Sequence, residues 1–124
     1  KEIPQIEIIP IPGVSVVATL VSISGFYTNR FLFLGFPPIK NHRQQFFDEV
    51  IKSNYPVIFY ESPFKIIKTL KELAQKDANF SVVIGKELTK VFEKIYRGNI
   101  LEIIKQMEKD GIKGEYAVIV FKEK

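Results

Sequence analysis

The segment YPVIFYESPFKIIKTLKEL, residues 55–73, decides the fold class, because a buried strand and an amphipathic helix follow each other in it. The apolar run 55–61 predicts a strand that is covered on both faces. Apolar residues then recur at helical spacing, which predicts a helix over 63–76. Ser62 suits the N-cap of that helix and Pro63 its first position. A strand that leads directly into a helix is typical of α/β domains.

The same alternation of strands and helices extends over the whole chain. Further strands are predicted over 6–11, 30–36, 80–88, 92–98 and 114–121, and further helices over 15–24, 41–53 and 100–110. Asn99 is the expected N-cap of the last helix, with Glu102 completing a capping box. The short link between 80–88 and 92–98 permits an antiparallel pair, so we expect a mixed sheet. The fold class is therefore α/β, with a mixed sheet of about five strands flanked by helices.

Composition limits the classes of function. The 124 residues are 46% hydrophobic and 26% charged, as in a single soluble globular domain, and no apolar run is long enough to span a bilayer. Lys1 is not an initiator residue and no signal peptide follows it, so we expect a piece of a longer polypeptide. The lack of cysteine excludes disulfides and thiolate catalysis, and the single histidine, His42, excludes a multi-histidine metal site. A net charge of +4 is a mild indication of a polyanionic partner.

Chemically interesting residues gather in four short stretches at predicted strand ends, where open α/β sheets hold ligands. They are PIPGVS (10–15), YESP (60–63), GKELTK (85–90) and KGEY (113–116). In the first stretch, Gly13 lets a ligand approach the backbone closely. In the second, Glu61 can accept hydrogen bonds from a ribose or an amine, and Tyr60 can stack on a ring. Each stretch alone is more typical of an ordinary turn, helix cap or hairpin tip. A fifth stretch, KNHRQQ (40–45), can bind phosphates but is more typical of a solvated helix start.

The order of these stretches along the chain carries more information than any one of them. The chain resembles the C-terminal half of the ribosomal-RNA ribose 2′-O-methyltransferases, which belong to the tetrapyrrole-methylase superfamily and act on a cytidine of small-subunit RNA. The matching blocks cover nearly the whole chain and are Pro12 to Ser15, Phe31 to Lys40, Tyr60 to Lys65, Lys86 to Lys90 with Gly98, and Lys113 to Glu115. The chain departs from the family pattern at Val14, Phe64, Lys65 and Lys86, where the family has proline, histidine, arginine and arginine.

The resemblance implies a two-domain enzyme that binds S-adenosylmethionine in the cleft between its domains. Residues 1–12 would be the end of the N-terminal domain or a connector, and residues 13–124 the C-terminal α/β methylase domain. The implied cofactor-binding residues are Pro12, Gly13, Ser15, Tyr60, Glu61, Glu87, Leu88, Thr89, Gly114 and Glu115. The implied RNA contacts are Arg30, Lys40, Arg43, Lys65, Lys86 and Lys90.

Transfer of a methyl group to a ribose hydroxyl requires a proton acceptor, for which Glu61 and Glu87 are the candidates in this chain. The resemblance further implies a cytoplasmic homodimer that acts on small-subunit ribosomal RNA or the 30S subunit, uses no metal, and is inactive without its other domain. Two alternatives stay open. One is a corrin-ring methylase, against which YESP and KELTK argue, and the other is a non-catalytic basic module that binds RNA or a protein.

Overall fold

The computed structural model describes residues 30–87 and 92–122, which form five strands and three helices. In chain order these are β1 (Leu32–Gly35), α1 (Arg43–Lys52), β2 (Val57–Glu61), α2 (Ile66–Lys76), β3 (Phe80–Glu87), β4 (Phe92–Asn99), α3 (Ile100–Asp110) and β5 (Glu115–Lys122). The predicted strand 6–11 and helix 15–24 lie outside the described residues. Within the described ranges no helix has the length and apolar character needed to cross a membrane.

The five strands form one mixed sheet in the order β1-β2-β5-β3-β4. β1 and β2 are parallel, which requires the crossover that α1 provides, and all other neighbouring pairs are antiparallel. The last strand of the chain therefore lies between β2 and β3 in the middle of the sheet. The predicted mixed α/β sheet and the antiparallel β3–β4 pair are both confirmed.

The three described helices contribute to one large core cluster on the same face of the sheet. Phe47, Leu70 and Met107, from α1, α2 and α3 respectively, are completely buried there. Alternate residues of the strands point to the other face, where a smaller cluster contains Ile58 and Ile119. We call these the helix face and the second face of the sheet.

The structure confirms one predicted helix start and corrects another. The Asn99 side chain accepts a hydrogen bond of 2.9 Å from the Leu101 N–H and so caps α3 as predicted. α2 begins at Ile66, with Lys65 at the N-cap, so the prediction that Ser62 caps a helix beginning at Pro63 is wrong. The backbone carbonyl of Ser62 accepts from the N–H groups of Lys65 and Ile66, which forms a separate turn before the helix.

Candidate active site

Three of the four stretches singled out in the sequence meet at one end of the sheet. β2 and β3 end there and β5 begins there, so that Tyr116 is in register with both Glu61 and Lys86. Glu115 is in register with Glu87. We call residues 60–62, 85–87 and 113–117 the site edge. The stretch 10–15, with Pro12, Gly13 and Ser15, lies outside the described residues.

Tyr60 lies on the second face of the sheet within an aromatic cluster. Its half-buried ring is 5.4 Å from the ring of Phe33 and 5.6 Å from the ring of Phe36, measured between centroids. Phe36 follows the end of β1, which runs parallel to β2 and so ends at the same side of the sheet. An aromatic surface formed by Phe33, Phe36 and Tyr60 thus adjoins the site edge.

Glu61 points to the helix face, and only 4% of it is exposed. Its Oε2 accepts a hydrogen bond of 2.6 Å from the hydroxyl of Thr69 on α2. Its Oε1 accepts a hydrogen bond of 3.0 Å from the N–H of Ser62. Because both carboxylate oxygens have donors inside the chain, Glu61 fixes the turn between β2 and α2.

Arg43 extends this arrangement to two further segments. Its Nη2 donates to Thr69 Oγ1 at 3.0 Å and its Nη1 to the Pro38 carbonyl at 2.7 Å, while Nε and Nη2 both donate to Glu72. Arg43 is only 8% exposed and Thr69 is completely buried. We call Arg43, Glu61, Thr69 and Glu72, with the Pro38 carbonyl, the Arg43 network. It joins the start of α1, the segment after β1, the end of β2 and α2.

A second polar cluster lies at the end of α3. Asp110 Oδ2 accepts from Lys94 Nζ at 2.6 Å and from Tyr96 Oη at 3.0 Å. These two bonds hold the pKa of the Asp110 carboxyl below its ordinary value, and the bond from Lys94 has the larger effect. Burial and the bond to Asp110 raise the pKa of Tyr96 to about 12. Tyr96 is therefore a neutral hydrogen-bond donor at physiological pH.

Tyr116 lies at the centre of the site edge and is 2% exposed. Its hydroxyl accepts a hydrogen bond of 3.3 Å from the backbone N–H of Lys113. Burial raises the pKa of Tyr116, and this hydrogen bond opposes that rise only in part. The neutral phenol closes the turn that brings Gly114 to the edge, where the positive φ of 76° suits glycine.

The predicted basic residues differ in their surroundings. Lys40 is exposed, Lys65 and Lys86 are half-buried, and Arg30 is exposed with its Nη1 donating to the Tyr55 hydroxyl at 3.1 Å. Arg43 lies in the network described above instead of facing solvent. Leu88, Thr89 and Lys90 lie outside the described residues, and Glu87 is described in its backbone alone. Glu115 is exposed.

Other features of the described residues lie outside this arrangement. His42 is exposed, and its Nδ1 is 2.8 Å from Gln45 Oε1. Two surface cavities, of about 550 Å³ beside α1 and about 430 Å³ between α2 and α3, lie away from the site edge. Among residues 30–87 and 92–122 no three histidine, aspartate or glutamate side chains are grouped so that they could hold a metal ion.

The sequence did not reveal the roles of Thr69 and Glu72. The available signal was a threonine within the apolar stripe of an amphipathic helix, since a buried hydroxyl requires a hydrogen-bond partner. Its two partners are 8 and 26 residues away in the chain, too far for a local pattern to show them.

Comparison with known proteins shows which family the chain belongs to. Residues 1–104 match the family described as Tetrapyrrole (Corrin/Porphyrin) Methylases. The chain belongs to this family. The resemblance inferred from the sequence blocks is confirmed at that level, and the five-stranded mixed sheet is consistent with a tetrapyrrole methylase domain.

Curated relatives match the chain over most of its length. A protein of Hydrogenobaculum sp. (strain Y04AAS1) named Ribosomal RNA small subunit methyltransferase I is 39% identical over 125 residues, which cover 99% of this chain and 53% of the relative. A protein of the same name from Thermotoga maritima is 32% identical, and the match covers 93% of this chain and 52% of the relative. One from Halalkalibacterium halodurans is 38% identical, and the match covers 93% of this chain and 40% of the relative. The chain thus spans about half the length of the curated relatives it matches.

Proposed function

We propose that this chain is one half of an S-adenosylmethionine-dependent methyltransferase that 2′-O-methylates a cytidine ribose in small-subunit ribosomal RNA. The observation that carries the proposal is the match of 93–99% of the chain to relatives named Ribosomal RNA small subunit methyltransferase I. The geometry supports it, because three of the sequence blocks that carry the resemblance meet at the site edge.

The division of the chain follows from the same proposal. Residues 1–12 are assigned to the end of a preceding domain or to a connector, and residues 13–124 to the C-terminal methylase domain. The cofactor would then lie between the site edge and the preceding domain. In the cell we expect a cytoplasmic homodimer, with the 30S subunit or its RNA as the substrate.

The described groups at the site edge fit an adenosine with an attached amino acid. Tyr60 belongs to an aromatic surface of the kind on which an adenine stacks, and the turn at Gly114 presents backbone without a side chain. Tyr60, Gly114 and Glu115 would hold the cofactor, together with Glu87 and the implied residues outside the described part, Pro12, Gly13, Ser15, Leu88 and Thr89. Bound S-adenosylmethionine supplies a methyl group activated by the positive sulfur.

The residues of this chain would align the reactants and accept the proton. Alignment requires a rigid edge, and the hydrogen bonds from Thr69 and Ser62 to Glu61 provide it at the end of β2. Since both oxygens of Glu61 are engaged in this way, we assign Glu61 a positioning role. Glu87 is kept as the candidate that accepts the proton of the 2′-hydroxyl.

The proposed RNA contacts near the site edge are Lys40, Lys65 and Lys86, together with Lys90, which lies outside the described residues. Arg30 is left out because it precedes β1 and donates to Tyr55, which precedes β2, so it lies at the end of these parallel strands opposite the site edge. Arg43 is left out because its guanidinium is buried and donates to Pro38, Thr69 and Glu72.

The direct test uses the full-length protein, labelled S-adenosylmethionine and small-subunit ribosomal RNA, followed by digestion to nucleosides. Label should appear in the ribose of cytidine. Lys86→Gln should reduce the rate, whereas the matched variant Lys105→Gln, on the exposed side of α3, should not. A protein that binds the cofactor but places no label in ribose would contradict the proposal.

A corrin or porphyrin substrate is the second candidate, because the family description names both ring systems. Ultraviolet–visible titration of the full-length protein with a precorrin separates the two candidates. Tight precorrin binding together with absent RNA methylation would favour this second candidate.

A further inference from the structure

Two segments next to the site edge display most of the exposed large apolar side chains of the described chain. They are residues 36–42, after β1, and residues 62–68, after β2, and we call them the two site segments. Phe36 is 57% exposed, Ile39 is 68% exposed and Phe64 is 92% exposed. A concentration of exposed apolar side chains beside a site typically marks a contact surface.

The charge of these segments indicates the chemistry of the partner. They contain Lys40, Lys65 and Lys68 but no aspartate or glutamate. The neighbouring carboxylate of Glu61 is buried and engaged in hydrogen bonds. Aromatic rings beside cations, in segments that contain no carboxylate, are complementary to single-stranded nucleic acid, whose bases stack and whose phosphates are negative.

The two segments are fixed to each other on both faces of the sheet. On the helix face, Arg43 donates to the Pro38 carbonyl of the first segment and to the Thr69 hydroxyl. Thr69 donates to Glu61, which accepts from the Ser62 N–H of the second segment. On the second face, the ring of Phe36 from the first segment contacts that of Tyr60 in β2, two residues before the second segment. A surface fixed in this way loses little conformational entropy when it binds a partner.

We propose that the two site segments form one binding surface for an unpaired stretch of the RNA, with Phe64 stacking on a base and Lys40 and Lys65 contacting phosphates. Arg43 is the positioning residue that holds the segments in register. The identity of the RNA as the substrate rests on the proposed function, whereas the existence of the surface does not.

Fluorescence anisotropy on the full-length protein tests the surface with two probes, a labelled single-stranded RNA oligonucleotide and the same strand in a duplex. Phe64→Ala should weaken binding of the single strand about tenfold, as expected for the loss of one base–aromatic stack, and should leave duplex binding unchanged. Phe64→Tyr retains the ring and should bind as the wild type does. The matched control is Leu101→Ala, which removes an apolar side chain that is 46% exposed on α3.

The lysines are tested by the salt dependence of the same binding reaction. Lys40→Gln and Lys65→Gln should each reduce the slope of log K against log salt by about 0.7, the value for one phosphate contact on a single strand. Lys105→Gln should leave the slope unchanged. An unchanged slope in all three variants would contradict the assignment of the phosphate contacts.

The positioning role of Arg43 is tested by Arg43→Lys, which keeps the charge but loses the fork of donors. Amide hydrogen exchange should accelerate in residues 36–42 and 62–68 together, and single-strand binding should weaken. Ile103→Val, a mild change in the core at α3, should accelerate neither segment. Faster exchange in one segment alone would contradict the coupling.

Single-strand binding by Phe64→Ala that equals the binding of the wild type would overturn the surface itself. A lower melting temperature of the same variant would then show that another part of the protein covers Phe64. If the protein binds RNA in a way that depends on Phe64 but transfers no methyl group, the proposed function would be overturned. The proposed binding surface would still hold.

Discussion

The two polar clusters of this chain contain similar groups in different surroundings. In the Arg43 network the side chains of Arg43 and Glu72 are 10% and 31% exposed, and Thr69 and Glu61 are buried. In the cluster at the end of α3 the side chains of Lys94 and Asp110 are 49% and 31% exposed. Glu72 and Asp110 are equally exposed, and Tyr96 is buried as Thr69 is, so the two clusters differ in the burial of the cation and in the second, buried carboxylate of Glu61.

Burial changes what each hydrogen bond contributes. In water the ions of a broken pair are solvated again, so an exposed pair adds little to the free energy of unfolding. In the interior a carboxylate that loses its partner stays desolvated, and the cost is correspondingly large. We therefore expect the Arg43 network to be necessary for the site edge and the α3 cluster to be dispensable.

The largest effect is expected for Arg43→Met, which leaves Glu72 without its cation and Thr69 and the Pro38 carbonyl without a donor. We expect the free energy of unfolding to fall by about 3 kcal/mol, because the buried Thr69 hydroxyl and the Pro38 carbonyl each lose a donor and Glu72, which is 31% exposed, loses its cation. Urea denaturation of the full-length protein measures it. A loss no larger than that of Lys94→Met would remove the contrast between the two clusters.

A smaller effect is expected at Thr69, where two variants separate the hydroxyl from the packing. Thr69→Val keeps the volume but leaves Glu61 Oε2 without its donor, at a cost of about 2 kcal/mol. Thr69→Ser keeps the donor and removes one buried methyl group, at a cost of about 1 kcal/mol. Urea midpoints measure both variants, and a greater loss for serine than for valine would show that packing, and not the hydrogen bond, dominates at this position.

The α3 cluster should respond to alkaline pH. The pKa of Tyr96 rises from 10.0 to about 12 on folding, so the folded state holds this proton more tightly. The resulting stabilisation is complete below pH 10 and is lost as the pH rises toward about 12. Phenolate absorbance together with urea denaturation should show this decline in the wild type. The decline should be weaker in Tyr96→Phe, in which the raised pKa of Tyr116 still contributes. Equal declines in the two proteins would contradict the assignment.

The smallest effect is expected for Lys94→Met. Asp110 retains the Tyr96 hydroxyl as a donor, and both charged groups of the ion pair are accessible to water. The urea midpoint should stay within experimental error of the wild type, and added salt should remove any remaining difference. A large loss that is insensitive to salt would show that this cluster behaves like the buried one.

The local elements were predictable because their signals are local. The periodicity of apolar residues is contained within each helix or strand, and Asn99 lies two residues from the N–H that it caps. The start of α2 was not predictable from Ser62 and Pro63, because the Ser62 carbonyl closes a turn before the helix. The place of β5 between β2 and β3 is set by pairing with residues far away in sequence, which no local pattern shows.

The sequence predicted which stretches belong to the site but not how their side chains are arranged. The order of the sequence blocks indicated which stretches belong together, and three of them do meet at the site edge. Arg43 resembled a solvated cation in a helix first turn, because its partners Thr69 and Glu72 are 26 and 29 residues away. Burial of a charged side chain depends on tertiary contacts of this kind.

If the site edge faces the cofactor as proposed, S-adenosylmethionine should slow amide hydrogen exchange of the full-length protein in residues 60–62, 85–87 and 113–117. Hydrogen exchange measured with and without the cofactor reads this contact directly. Exchange at the opposite end of the same strands, in residues 80–82 and 120–122, should be unchanged. Protection at that opposite end, or unchanged exchange at the site edge at saturating cofactor, would show that the cofactor does not lie against this edge.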